Sequence, residues 1–115
     1  MKDRFDFLEE AARLTGGDRN RSYGSPYTNH DRIARLWSDY LGFRVIPEQV
    51  AICMVLLKVA RLMERSGSEA SDTFTDLTAY SAIAGELSLI EEERRQSILP
   101  GDRSSPRRRR PSSAT

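Results

Sequence analysis

A chain of 115 residues has the length of one domain. It holds no apolar run near 18 residues and opens on Met1-Lys2-Asp3-Arg4-Phe5-Asp6, which excludes a spanning helix and a secretory leader from the reading and points to a cytoplasmic protein. The formal net charge of +1 divides unevenly: residues 101–115 carry five Arg and one Asp, while the first hundred residues are slightly acidic, so the body is not read as binding nucleic acid.

The first element expected is a helix from Arg4 to Leu14, with Phe5, Leu8 and Ala12 at helical spacing and Gly16-Gly17 as its stop. Gly16 to Thr28 reads as a loop, rich in glycine and without periodicity. Arg19 and Arg21 within it are candidates to reach phosphates, but the Gly-Lys-Ser/Thr ending of a phosphate-binding loop is missing, and an ordinary charged loop is the alternative.

A second helix is expected from Asn29 to Leu41, capped by Thr28 or Asn29 and ended by Gly42. Ile33, Leu36, Trp37, Tyr40 and Leu41 form its apolar stripe. Asn29 lies one turn before that stripe, either as a cap or as a reader of a nucleobase edge with Trp37 or Tyr40 stacking on the ring. His30 is the only histidine; without Cys or His neighbours for zinc, it reads as a surface or satisfied helix residue.

Pro47 suits the first turn of a third helix, and Glu48 complements its dipole. From Val50 to Met63 the segment is apolar almost all round, so it reads as the central helix or as one in a subunit interface. Cys53, the only cysteine, reads as a buried thiol. Lys58 and Arg61 interrupt the run and share a face. Either their stems lie on the core while their heads reach water or a carboxylate, or both face a polyanion such as a triphosphate.

After the break at Ser66-Gly67-Ser68, a fourth helix is expected from Ser71 or Asp72 to about Leu89, with Phe74, Leu77, Ile83, Ala84 and Leu87 facing the core and 91–95 as a solvated end. Asp72 and Asp76 stand one turn apart, and Tyr80 continues their face. Two carboxylates this close suit a Mg²⁺ or Mn²⁺ ion between them. The alternatives are an N-cap for Asp72 and an ion pair with Lys58 or Arg61 for Asp76. Glu48 and Glu69 are weaker metal candidates, each at a helix start. The fold class is therefore all-α, a bundle of about four helices over residues 1–99, with 100–115 read as a disordered Arg-rich tail.

Three stretches, GDRNRSYGSPYTNHDRIARLWSDYLG (17–42), VAICMVLLKVARL (50–62) and DTFTDLTAYSAIAGEL (72–87), resemble small phage members of the MazG-like, all-α nucleoside triphosphate pyrophosphohydrolases. The resemblance covers about residues 8–89. It implies cleavage between the α- and β-phosphates, a Mg²⁺ or Mn²⁺ cofactor, and a homo-oligomer, dimer or tetramer, with sites built between subunits. The substrate expected is a nucleoside triphosphate, GTP or dGTP, and the implied locale is the host cytosol. The family's usual signature pairs Glu-x-x-Glu on one helix with Glu-x-x-Asp on the next. Here Asp76 followed by Tyr80 matches the second motif's Asp end, but the preceding acid, Asp72, stands four residues back, and Lys58 and Arg61 replace the first motif's acids. Asp76 and Asp72 are the expected metal ligands, with Lys58, Arg61 and Arg19 on the phosphates. Two other classes fit the same chain: a non-catalytic helical phage protein that binds a host factor, and a protein that sequesters nucleotides uncleaved.

Overall fold

The computed structural model describes residues 1–16, 25–64 and 69–98. Among them are four helices and no strand: α1 (Arg4–Thr15), α2 (Pro26–Leu41), α3 (Pro47–Leu62) and α4 (Glu69–Ile98). The all-α bundle expected from the sequence is the fold observed. Arg19, Arg21, the Ser66-Gly67-Ser68 break and the segment 100–115 lie outside the described residues.

The starts of α1, α2 and α3 each have a local cause. Asp3 Oδ1 accepts from the Asp6 amide at 3.0 Å, and Asp6 Oδ2 accepts from the Asp3 amide at 2.8 Å, a reciprocal cap on α1. Ser25 Oγ accepts from the Thr28 amide at 3.2 Å, with Pro26 as the first residue of α2. The second helix thus begins three residues before the expected Asn29, and neither Thr28 nor Asn29 is its cap. The proline needs no amide partner and its fixed φ already suits a helix, so the Ser25-Pro26 pair wins. Gly42 closes α2 at φ +84°, the left-handed region where glycine pays no side-chain penalty. Ser38 Oγ then ties the turn together, donating to the Ala34 carbonyl at 2.7 Å and accepting from the Val45 amide at 2.8 Å. At the head of α3, Gln49 Oε1 accepts from the Ile46 amide at 3.0 Å.

The core lies along α4, which packs against α3 and α1, while α2 packs against α3. Its central cluster is Ala51, Ile83, Ala84 and Leu87, with Tyr27, Tyr80 and Ile90 against it. Small residues dominate: Ala11, Ala34, Ala51, Ala79 and Ala84 are all buried. Two expected stripes are corrected. On α1, Phe5, Leu8 and Ala12 are exposed, and the packed line is Phe7, Ala11 and Leu14. On α2, Leu36, Tyr40 and Leu41 are exposed, whereas His30 and Ala34 are buried. On α2 the side with the small Ala34 lets the backbones approach and the bulkier Leu36 and Tyr40 are left outside; on α1 the two lines are of similar bulk, and packing against α4 decides which is inside.

On α3 only Pro47, Val50 and Ala51 are buried, and Cys53 is exposed rather than buried. On α4, Ile83, Ala84 and Leu87 are buried as expected, Leu77 is half-buried, and Phe74 is exposed with its ring edge-on to Phe7. This helix runs past Leu89 to Ile98. Its charged end is not wholly solvated, because Glu91 is largely buried between Arg94 at 3.5 Å and Arg44 at 3.8 Å.

Candidate active site

Three helices converge on a cavity of about 210 Å³. The last turn of α1 contributes Leu14 and Thr15, α3 contributes Lys58, and α4 contributes Asp76, Ala79, Tyr80 and Ile83. The α4 positions recur at steps of three and four, so one face of a regular helix supplies them all. Lys58 Nζ lies 3.2 Å from Asp76 Oδ2. The lysine side chain is only 15% exposed, so its stem is covered and its charge needs this partner.

The pairing separates residues that the sequence grouped. Lys58 turns towards α4, whereas Arg61, three residues on, is exposed. The two cations therefore do not form one anion-facing pair in the single chain. Asp72 is exposed inside α4, whose first residue is Glu69, so it is not an N-cap. It remains one helical turn from Asp76. Glu48 sits ten residues before Lys58 on α3 and does not line the cavity. Among the described residues no group of three or more His, Cys, Asp and Glu side chains comes together, so Asp72, Asp76 and Glu48 do not form one ligand set.

Asn29 and Trp37 are half-buried on α2 and do not line this cavity. The link from α2 to the site is instead His30. Its Nδ1–H donates to the Pro26 carbonyl at 2.8 Å, and its ring stands edge-on to Tyr80 at 6.3 Å between centroids. The histidine is thus buried and braces the aromatic wall of the cavity.

Two features escape sequence reasoning. One is the contribution of Leu14 and Thr15, hidden by the choice of the wrong α1 stripe; the spacing Phe7, Ala11, Leu14 was the available signal. The other is a polar clasp that fixes α1 on α4. Lys2 Nζ lies 2.9 Å from Glu10 Oε1 and donates to Ser71 Oγ at 2.8 Å, while Thr75 Oγ1 donates to Glu10 Oε1 at 3.4 Å. The Lys2 hydrogen bond and charge, with Arg13 adding to them, hold the Glu10 carboxyl below the ordinary glutamate value of 4.5. Nothing in local spacing links residue 2 to residues 71 and 75. A wider depression of about 520 Å³ on another side of α1 is lined by Arg4, Phe7, Leu8, Phe74 and Thr78 and holds no carboxylate.

Comparison with known proteins places the chain among phage proteins. The family model described as a domain of unknown function, DUF6378, matches residues 6–88. The Gene 55 protein of Mycobacterium phage L5 is 40% identical over 88 residues, which are 76% of this chain and 55% of that protein. The Gene 55 protein of Mycobacterium phage D29 is 42% identical over 86 residues, 75% of this chain and 54% of that protein. The chain therefore spans about half the length of the curated relatives it matches. No solved structure matches it. No helix among the described residues is long and apolar enough to cross a membrane.

Proposed function

The chain belongs to the DUF6378 family, and we propose, on its resemblance to the MazG-like pyrophosphohydrolases, that it is a metal-dependent nucleoside triphosphate pyrophosphohydrolase. The preferred reaction is conversion of GTP or dGTP to the monophosphate and pyrophosphate. The observation that carries this reading is the Lys58–Asp76 pair at the wall of the three-helix cavity. The guanine preference rests on the further resemblance to the phage MazZ type of (d)GTP diphosphohydrolase. In that type, dGMP supplies the synthesis of 2-aminoadenine nucleotides.

The donor set fits the proposed cofactor. Mg²⁺ is commonly held by one or two carboxylates, with waters and substrate phosphates completing six oxygens. Asp76, part-exposed at the cavity, and Asp72, exposed one turn earlier, are such a pair. The bound ion would supply charge neutralisation on the triphosphate and a water of lowered pKa. The chain's own residues do the rest. Lys58 exchanges its carboxylate partner for a phosphate oxygen and stabilises charge on the pyrophosphate leaving group. Tyr80, fixed by His30, bounds the pocket beside it. Asn29 lies outside the cavity lining of the single chain; as a guanine reader its amide would donate to O6 or N7 and accept from N1–H or the 2-amino group.

The test is a panel of the eight common ribo- and deoxyribonucleoside triphosphates with Mg²⁺ or Mn²⁺, products separated by chromatography. The expected result is release of pyrophosphate with guanine nucleotides turned over fastest. Asp76→Asn should lower turnover by about a hundredfold or more while the helical circular dichroism is kept. Bound nucleotide without turnover would replace this reading with sequestration. Release of inorganic phosphate alone would exclude the pyrophosphohydrolase class.

A further inference from the structure

Lys58 comes from α3 and Asp76 from α4, and both line the cavity, so an ion entering it meets a cation and an anion already joined at 3.2 Å. The two partners are not equally covered: the lysine side chain is 15% exposed and the aspartate side chain 37%. Asp76 keeps contact with water when its partner leaves. Lys58 is mostly covered and needs another anion in its place.

We propose that this ion pair is a lock that makes a divalent metal ion and a phosphate chain bind cooperatively, each weakly alone and tightly together. A metal ion by itself puts a second cation on Asp76 and, on displacing Lys58, leaves a covered ammonium without a counter-ion. A phosphate chain by itself takes Lys58 and leaves the Asp76 carboxylate facing a polyanion. When both arrive, a phosphate oxygen replaces the carboxylate on Lys58 and the metal ion replaces the ammonium on Asp76, so every charge keeps an opposite neighbour. Linkage makes the effect reciprocal: the factor by which the phosphate chain raises metal affinity is the factor by which the metal raises phosphate affinity. The lock therefore favours a metal-loaded triphosphate over free metal ion or free polyphosphate. The inference rests on the metal and phosphate roles proposed above for this site, and needs neither hydrolysis nor a guanine base.

The test is calorimetric titration of the full chain with Mn²⁺ alone, with inorganic tripolyphosphate in EDTA, and with the preformed Mn²⁺–tripolyphosphate complex. On the wild-type chain the complex should bind about tenfold or more tightly than either component alone. Lys58→Met should strengthen binding of Mn²⁺ alone and weaken binding of the complex. Asp76→Asn should strengthen binding of tripolyphosphate alone and likewise weaken the complex. A merely structural role for the pair would instead weaken all of these ligands in both variants. Arg35→Met, which removes an exposed cation on α2, should leave the affinities unchanged. Circular dichroism checks that each variant is folded, and if one fails to fold the other decides together with the wild-type titrations. A complex that binds the wild-type chain no more tightly than its components overturns the lock. So does a folded Lys58→Met that loses affinity for Mn²⁺ alone, or a wild-type chain that binds none of these ligands. If such a result comes with pyrophosphate release from nucleotides, only the lock falls and the nucleotide reading stands. Opposite shifts in the two variants without any turnover uphold the lock and remove the pyrophosphohydrolase reading.

Discussion

Helices α3 and α4 pack against each other and use their sequences in opposite ways. Along α3 nearly every residue from Val50 to Met63 is apolar, but only Pro47, Val50 and Ala51 are buried. Along α4 polar and apolar residues are mixed over 30 residues, yet it supplies Ala79, Ile83, Ala84 and Leu87 to the core. Hydrophobicity therefore tells how much surface a helix offers for burial, not which partner takes it. Within the single chain the choice is made by close approach: Ala51 on α3 is buried together with Ile83, Ala84 and Leu87 of α4 in the central cluster. The surplus apolar face of α3 is what remains after that contact is made.

The largest stability effect should come from Leu87→Ala, a side chain 2% exposed in that cluster. Loss of its contacts plus the cavity left behind should cost about 2–5 kcal/mol in urea unfolding. Leu56→Ala, measured at concentrations too dilute for association, should stay within about 0.5 kcal/mol of wild type. Equal costs at the two positions would break the contrast between the helices.

Enlarging the contact itself sharpens the comparison. Ala51 is fully buried, and Ala51→Leu should force the two helices apart at about 1–3 kcal/mol, read in the same unfolding experiment. Stabilisation by the extra methylenes would mean that the α3–α4 interface is loosely packed. A smaller loss, about 1 kcal/mol, is expected from Ser25→Ala, which leaves the Thr28 amide at the head of α2 without its side-chain acceptor.

The smallest effect concerns the clasp on α1. A glutamate whose pKa is depressed in the fold adds stability above its unfolded value, and that stability is lost as pH falls through the lower folded value. Glu10 should therefore add stability present above about pH 4.5 and lost in the acid range below it. Carboxyl chemical shifts followed through an acid titration should place Glu10 below an ordinary glutamate, and Lys2→Ala should move it back up. An unchanged titration in that variant would remove Lys2 as the cause.

The four helices, their order and most of their ends were legible because the signals are local. Gly42 stops α2 through its own φ, and Pro47 starts α3 through its own ring. The start of α2 was misplaced because Ser25-Pro26 was absorbed into a glycine-rich loop. Half of the candidate site was legible too. Lys58 stood out as a charge in an apolar run, and Asp76 and Tyr80 shared a face at fixed spacing, so their meeting in one cavity follows from two regular helices lying side by side. The pairing of Asp76 with Lys58 alone, the outward position of Arg61, and the absence of Glu48 from the cavity were not legible, because each depends on the rotation of one helix against another.

The sequence by itself determined that this is an all-helical domain with one strongly apolar helix interrupted by Lys58 and Arg61. Helical periodicity and caps act within a few residues, so no partner is needed to specify them. Only the tertiary structure decided which face of each helix is inside. It buried His30 and Ala34 rather than Leu36 and Tyr40, Ala11 rather than Leu8, and it brought Lys2 to Ser71. The physical reason is that several faces of these helices are apolar enough to be buried, and which face is inside depends on how it fits the neighbouring helix at close packing.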